Sequence, residues 1–380
     1  ERRVRLAKRY FIETMGCQMN EYDSVHLSRI LENSGYVRAS EPEEADFVLL
    51  NTCSVRAKAE QKALSRLGRL MILKKKNPQL LLAVAGCVAQ GRGNDLLERF
   101  PGLDFVVGPR EIGRFREILK KTEEGHTRIV AVNANRTPIS FMGGFDYFRN
   151  SLKAYLTIME GCNNFCSYCV VPLVRGRETS RPPREILEEA RNLALQGVKE
   201  ITLLGQNVNS YSHEKTRFPE LLQAMNEIKG LCRVRFTTSH PKDLSADLID
   251  CFGKLEKLCS HIHLPFQAGS DRVLKAMKRG YTREKYMDLV CAMREKRPGI
   301  ALTSDVMVGF PGEAEEDFEQ TLDLMRKIEF DNLFSFKYSD REGTPASSMK
   351  GKILENVKLR RLTRLQEFQR AITLRKNKEL

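Results

Sequence analysis

The stretch Gly161-Cys162-Asn163-Asn164-Phe165-Cys166-Ser167-Tyr168-Cys169 sets three thiols in a C-x3-C-x2-C spacing directly after the apolar run Ala154 to Met159. Such a run, stopping at such a loop, reads as a strand that delivers ligands at its end. An odd number of cysteines cannot pair off among themselves, so the trio suits metal thiolates better than disulfides. Zinc is the plainer alternative. A closed structural zinc site takes four ligands, often as two close pairs, and the nearest downstream thiol, Cys232, has no partner at ligand spacing. On a four-iron cluster three thiolates leave one iron open, and an open iron can chelate a small molecule and pass it one electron.

Upstream, one unit recurs three times: Phe11-Ile12-Glu13-Thr14-Met15-Gly16-Cys17, Phe47-Val48-Leu49-Leu50-Asn51-Thr52-Cys53 and Leu81-Leu82-Ala83-Val84-Ala85-Gly86-Cys87. Each is an apolar strand ending in Cys. Helical stretches over Tyr22 to Asn33 and Ala57 to Lys75 separate them, and Phe105-Val106-Val107 reads as a further strand, so the sheet is predicted to be parallel. Residues just past parallel strands meet in the crevice at the carboxyl edge, where such folds bind ligands. A lone Cys there would read as a small buried hydrophobe. Three in one topological position suggest a second three-thiolate site, with Gly16 and Gly86 letting the backbone come close. From Lys121 to Arg149 periodicity is lost, and Thr122 to His126 and Met142-Gly143-Gly144 read as loop and linker.

After the cysteine loop, Pro182-Pro183 open a helix running to Gln196, stopped by Gly197. Strands are expected at Glu200 to Leu204, Val234 to Thr237, His261 to Leu264, Ala301 to Val308 and Asn332 to Tyr338. Helices are expected at Glu220 to Lys229, Ser245 to Phe252, Asp271 to Met277, Arg283 to Lys296 and Glu315 to Ile328. With the strand before Cys162 that makes six strands, and ligand sites in such arrangements lie at the carboxyl strand ends. Polar or glycine-rich loops stand there: Gly205 to Asn209, Thr238 to Pro241, Pro265 to Ser270 and Gly309 to Glu313. His261 and His263 share one strand face and read as barrel-lining. Cys232, Cys251, Cys259 and Cys291 have no mutual spacing and read as core or surface. The tail from Leu354 places Leu362, Leu365, Phe368 and Ile372 at helical spacing, with nine Lys and Arg against three Asp and Glu in the last thirty positions: a basic amphipathic helix.

At 380 residues the chain has room for two or three domains, and 41% hydrophobic and 29% charged residues exclude a disordered composition. No run has the length of a membrane span, and residues 1–9 lack the apolar centre of a signal peptide. A reducing cytoplasmic setting, no membrane association and thiol or ligand cysteines are therefore expected. The net charge of +14 suits a polyanionic partner.

With Tyr168 as its aromatic member, the cysteine loop resembles the signature of radical S-adenosylmethionine (SAM) enzymes, whose open iron holds the methionine end of SAM. The likeness extends to the radical SAM methylthiotransferases, which join a three-cysteine N-terminal domain to such a core. Gly16-Cys17-Gln18-Met19-Asn20, Asn51-Thr52-Cys53-Ser54-Val55-Arg56, Arg175-Gly176-Arg177-Glu178 and Leu203 to Tyr211 look like its MiaB-type branch, which modifies tRNA. Met15, Phe266 and Ala268 depart from residues common in the family. The resemblance implies an α/β chain with a parallel-sheet domain over 8–124, a linker over 125–147 and an open partial (β/α)6 barrel over 148–378. A β-barrel TRAM domain is usual in the family and is not expected in this chain, which stops at Leu380.

It implies two 4Fe-4S clusters, an auxiliary one on Cys17, Cys53 and Cys87 and a SAM-binding one on Cys162, Cys166 and Cys169. Gln206 would meet SAM's amino end, Gln267 its carboxylate or ribose, and Val308 with Phe310 its adenine; Arg175, Arg177 and Arg181 are candidates to hold phosphate or SAM. The implied reaction methylthiolates carbon 2 of isopentenylated adenosine beside the anticodon, an unactivated C–H position that demands a radical. Implied partners are the tRNA anticodon stem-loop, an electron donor such as flavodoxin or ferredoxin, and sulfur and Fe-S carrier proteins, with the enzyme a monomer. Two alternatives stand beside this: the same chemistry on a ribosomal protein or on threonylcarbamoyl-adenosine tRNA, and a non-catalytic Fe-S protein that binds RNA.

Overall fold

In the computed structural model of the chain the described residues are 7–54, 57–133 and 151–379. The expected loop Met142-Gly143-Gly144, the junction expected at 147–148 and the pair Val55-Arg56 lie outside them. The chain forms two compact units. The first takes the residues up to 133 together with Glu160–Cys162 and Val170–Thr179, and the second takes the rest.

The first unit runs β1 (Lys8–Met15), α1 (Gln18–Glu32), β2 (Tyr36–Arg38), β3 (Phe47–Thr52), α2 (Ala57–Lys76), β4 (Leu81–Gly86), α3 (Cys87–Arg99), β5 (Phe105–Val107), α4 (Phe115–Glu123) and β6 (Ile129–Ala131). Its sheet has the order β2-β1-β3-β4-β5-β6, parallel at every pairing. Val48, Leu50, Leu82 and Val84 pack on one face with Leu67 and Leu70 of α2 and Val88 of α3. Their alternates Phe47, Leu49, Ala83 and Ala85 pack on the other with Leu27 of α1 and Phe115 of α4. A sheet covered on both faces needs continuous apolar strands, which is why the three repeats carry so few polar residues. Helix α1 starts at Gln18 rather than at Tyr22. The Cys17 carbonyl accepts from the Asn20 and Glu21 N–H groups at 2.9 and 3.2 Å, closing the first turn directly after the strand. The short edge strands β2 and β6 were not among the expected elements.

The second unit carries six parallel strands in two three-stranded sheets. One holds Lys153–Thr157, Glu200–Leu204 and Arg233–Phe236; the other holds His261–His263, Ala301–Val308 and Asn332–Lys337. A lone parallel bridge from Val234 to Leu258 lies between them. Helices Pro183–Leu195, Phe218–Asn226, Ala246–Lys254, Asp271–Ala276, Arg283–Lys296 and Glu315–Ile328 alternate with the strands. This is the open, partial (β/α)6 barrel. Along Ala301–Val308 burial alternates strictly: Leu302, Ser304, Val306 and Val308 are buried, whereas Ala301, Thr303, Asp305 and Met307 are half-exposed. The first set therefore meets the helices and the second lines the lumen.

The tail helix Glu355–Lys378 buries Leu365 and Ile372. It is not basic all round in effect, because Arg361 is buried on Glu313 at 2.9 Å and on Glu315 at 2.9 Å. No helix among the described residues is long and apolar enough to cross a membrane.

Candidate functional site

The register of the first sheet places Met15 opposite Thr52 and Thr52 opposite Gly86. Cys17, Cys53 and Cys87 thus leave three neighbouring strands at one edge, within a residue of the same level. Cys17 caps α1, and Cys87 opens α3. The edge is stiffened from beneath by paired amides. Asn20 Nδ2 donates to Asn51 Oδ1 (3.0 Å) and to the Thr52 carbonyl (2.9 Å), and Asn51 Nδ2 donates to the Asn20 carbonyl and to Ser24 Oγ, both at 2.9 Å. Cys17 Sγ lies 3.4 Å from Asn20 Oδ1. A hydrogen bond with Cys53, followed by the Arg175 charge and N–H groups of the first turn, brings the Cys17 thiol down to about 6 against the opposing effect of burial. Burial pushes the Cys87 thiol up, opposed by Arg175.

Arg175, expected as a phosphate or SAM contact, is 2% exposed. Its Nη2 donates to Asp23 Oδ2 at 2.7 Å, its Nη1 to Glu160 Oε1 at 3.2 Å and its Nε to Cys87 Sγ at 3.4 Å. Burial disfavours the cation, yet Asp23, Cys87 and Glu160 hold it well above its ordinary range. Burial likewise raises both carboxyls against the pull of Arg175. Arg175 is thus a wall of the Cys87 site and not an open phosphate hook. Nearby, Cys162 N–H donates to the Gly176 carbonyl at 3.2 Å. Gly161 has φ 79°, and a Cβ there would lie 2.1 Å from the Arg177 carbonyl oxygen.

In the second unit Cys166 is buried, with Arg279 beside it. Arg279 Nη1 lies 3.4 Å from Cys166 Sγ and 3.5 Å from Tyr168 Oη, Nη2 donates to the Pro265 carbonyl at 2.9 Å, and Nε meets Tyr281 Oη at 3.2 Å. Ser167 fixes the loop between them: its Oγ donates to the Ala276 carbonyl at 2.8 Å, its N–H to the Met277 carbonyl at 3.0 Å, and its carbonyl accepts from Ala346 N–H at 2.7 Å. Cys169 N–H donates to the Cys166 carbonyl at 3.0 Å. Arg279 carries no periodic or motif signal that sequence reasoning could have used.

The other expected residues are distributed as follows. Gln206 is half-buried in the loop after Glu200–Leu204. Gln267, at φ 65°, is buried and bridges to Val306, its N–H donating to the Asp305 carbonyl at 2.9 Å and its carbonyl accepting from Met307 N–H at 2.9 Å. Val308 and Phe310 are fully buried, Phe310 in a core with Val273, Leu274 and Tyr338. Val308 is preceded on the strand's other face by half-exposed Met307, which packs against the same core as Phe310. Arg177 is exposed. Arg181 is spent on structure, donating to the Thr157 carbonyl at 2.6 Å and to Glu189 at 2.8 Å. His261 and His263 line the lumen, as their spacing predicts, and both lie 3.0 Å from Thr303 Oγ1, through Nε2 and Nδ1 respectively. His263 Nε2 is also 3.6 Å from Asp305 Oδ2.

Among the described residues no three His, Cys, Asp or Glu side chains converge as they would on a single metal ion. A four-iron cluster makes a different demand, since each thiolate binds its own iron. The strand-edge donor set of sulfur alone, backed by a close-approaching Gly86, fits a cluster and does not fit a hard cation. No disulfide competes for these thiols, all ten cysteines being free.

Residues 9–108 match the family model described as Uncharacterized protein family UPF0004, and residues 156–325 match the Radical SAM superfamily. The chain is 50% identical, over 99% of its length and 83% of the relative's, to the tRNA-2-methylthio-N(6)-dimethylallyladenosine synthase of Syntrophus aciditrophicus. It is 49% identical to the protein of the same name from Carboxydothermus hydrogenoformans, over 98% of this chain and 85% of that one. The chain belongs to the tRNA-2-methylthio-N(6)-dimethylallyladenosine synthase family. Among solved structures, the radical S-adenosylmethionine methyltransferase TsrM from Kitasatospora setae shares the fold, with a TM-score of 0.67 at 16% identity over 90% of this chain and 75% of that one. The synthase family thus accounts for both units, the UPF0004 match covering the strand-edge cysteines and the radical SAM match covering the cysteine loop.

Proposed function

We propose that this chain is a radical SAM enzyme that methylthiolates carbon 2 of isopentenylated adenosine beside the tRNA anticodon. The observation that carries the reading is the delivery of Cys17, Cys53 and Cys87 by three adjacent parallel strands, in a chain that also holds the Cys162-x3-Cys166-x2-Cys169 loop. Identity near 50% to named synthases supports it. When bound, two 4Fe-4S clusters and SAM supply the one-electron chemistry and the sulfur that an unactivated C–H position demands.

The chain's own residues position and shield. We assign Cys17, Cys53 and Cys87 to the auxiliary cluster and Cys162, Cys166 and Cys169 to the SAM-binding one; the first domain runs past the expected boundary at 124, because Ile129–Ala131 pairs into its sheet. The Asn20–Asn51 pair holds two of the auxiliary strand ends in register, and Ser167 and Arg279 hold the Cys166–Cys169 segment. Gln206, Gln267 and the main chain at Val308 and Phe310 are assigned to SAM. Exposed Arg177 is assigned to phosphate, with Arg175 and Arg181 supporting from within. A target base must leave its stack to reach a strand-end site, which an anticodon loop permits. The enzyme works in the cytoplasm as a monomer, with a flavodoxin or ferredoxin as electron donor and with sulfur and Fe-S carrier proteins.

The test separates the two trios. With Cys17, Cys53 and Cys87 all replaced by Ala, anaerobic assays with dithionite should still release 5′-deoxyadenosine, while mass spectrometry of an isopentenylated anticodon stem-loop finds no methylthio product. Replacing Cys162, Cys166 and Cys169 should abolish both. Methylthio product from the first variant, or deoxyadenosine from the second, would overturn the assignment. Unmodified tRNA in cells with the intact gene would favour a protein substrate.

A further inference from the structure

Arg175 has an unusual set of partners for a buried cation: two carboxylates from distant parts of the chain and one thiol. Asp23 comes from α1, one helix turn and a half beyond Cys17, and Glu160 stands two residues ahead of Cys162. The guanidinium plane is thereby fixed from two sides, and its remaining Nε–H is aimed at Cys87 Sγ, 3.4 Å away. Gly176, the next residue, accepts from Cys162 N–H, so the short segment from Glu160 to Cys162 is fastened at both ends to the Arg175–Gly176 turn.

We propose that Arg175 is a positioning residue for the centre on Cys17, Cys53 and Cys87, giving a charge-assisted N–H to the Cys87 sulfur from a pose set by Asp23 and Glu160. The proposal rests on the reading of that trio as cluster ligands. A hydrogen bond from a cation to a ligand sulfur stabilises the more negative, reduced form of an iron–sulfur centre and raises its reduction potential. Lys could supply the charge but not the planar fork that meets two carboxylates and a thiol together. Arg175 touches no substrate in this role; it acts through Cys87.

The experiment uses the full chain with Cys162, Cys166 and Cys169 replaced by Ala, so that one trio remains, reconstituted anaerobically with iron and sulfide. Redox titration followed by electron paramagnetic resonance is then run on this parent and on its Arg175→Lys and Arg175→Met versions. At equal iron content Arg175→Met should move the midpoint to a more negative potential and change the g-values, with Arg175→Lys falling between it and the parent. A midpoint and spectrum unchanged in Arg175→Met would overturn the proposal. Should Arg175→Met unfold, as a melting curve would show, Arg175→Lys decides: a shifted midpoint supports the proposal and an unshifted one overturns it. A parent that binds no iron–sulfur cluster refutes the assignment of the trio, and this proposal with it; a parent cluster indifferent to Arg175 refutes this proposal alone.

Discussion

Replacing Gly86 by Ala should damage the strand edge that presents the thiols far more than its single methyl group suggests. Gly86 adopts φ 92° and ψ −159°, a region that glycine alone occupies freely and that costs other residues about 1–3 kcal/mol. The new Cβ would also lie 2.2 Å from the Thr52 carbonyl oxygen, 2.6 Å from Asn51 Oδ1 and 2.9 Å from Thr52 N. Thr52 is the register partner of Gly86, so relief requires β3 and β4 to part where Cys53 and Cys87 emerge. Such forced repacking adds about 1–3 kcal/mol, for a total near 4 kcal/mol against a typical domain stability of about 5–15 kcal/mol. Gly35→Ala is the control: φ is 86° but no heavy atom lies within 4 Å of the added Cβ, leaving only the conformational cost of about 1–2 kcal/mol. Urea unfolding with hydrogen exchange read on the 81–87 segment should separate the two variants by about 2 kcal/mol, and iron content should fall in Gly86→Ala alone. Equal stability of the two would refute the steric reasoning.

His240 is buried with Lys242 and Arg279 nearby, and its Nδ1 accepts from the Lys242 N–H at 3.1 Å; burial first, then those charges, bring its pKa down to about 2. Below the ordinary value of 6.5 the unfolded chain takes up a proton that the folded chain refuses. The contribution is therefore whole above that value and lost at about 1.4 kcal/mol per pH unit beneath it. His240→Asn should flatten the stability curve by about 2–3 kcal/mol between pH 6.5 and about 4.5, as equilibrium unfolding across that range would show. Arg279→Met strips the buried donor from the Pro265 carbonyl and the Tyr281 hydroxyl beside Cys166 and should cost the second unit about 1–3 kcal/mol, with protease cleavage near residue 167 rising in step; unchanged protection would count against it. Affinity for an anticodon stem-loop should fall at least about tenfold between roughly 50 and 200 mM salt, and a flat dependence by filter binding would argue against phosphate contacts.

Long or sharply bounded elements were readable because local chemistry and tertiary demand agree in them. Ala301–Val308 shows its strand alternation, and Arg283–Lys296 begins after a Thr282 whose hydroxyl accepts from Lys285 N–H at 3.2 Å. The strand-edge position of Cys17, Cys53 and Cys87 was equally plain, since each closes an apolar run. Tyr36–Arg38 and Ile129–Ala131 were not visible: three residues carry little propensity, and only pairing with β1 and β5 makes them strands. Side-chain direction was the other limit. Arg175 and Arg181 read as phosphate or SAM contacts because the carboxylates that claim Arg175 sit 152 and 15 residues away, and nothing in the sequence announces that Val308 is fully buried.

The Thr303 hydroxyl, touched by two imidazoles, has a single proton to donate. The Asp305 carboxylate, 3.6 Å from His263 Nε2, favours the His263 tautomer that carries its proton on Nε2, which leaves Nδ1 bare to take the Thr303 proton. Thr303 must then accept in return, and His261 has to present Nε2–H to it. The three side chains thus run as a one-way chain of hydrogen bonds across two paired strands, with the sense set by the carboxylate at its end.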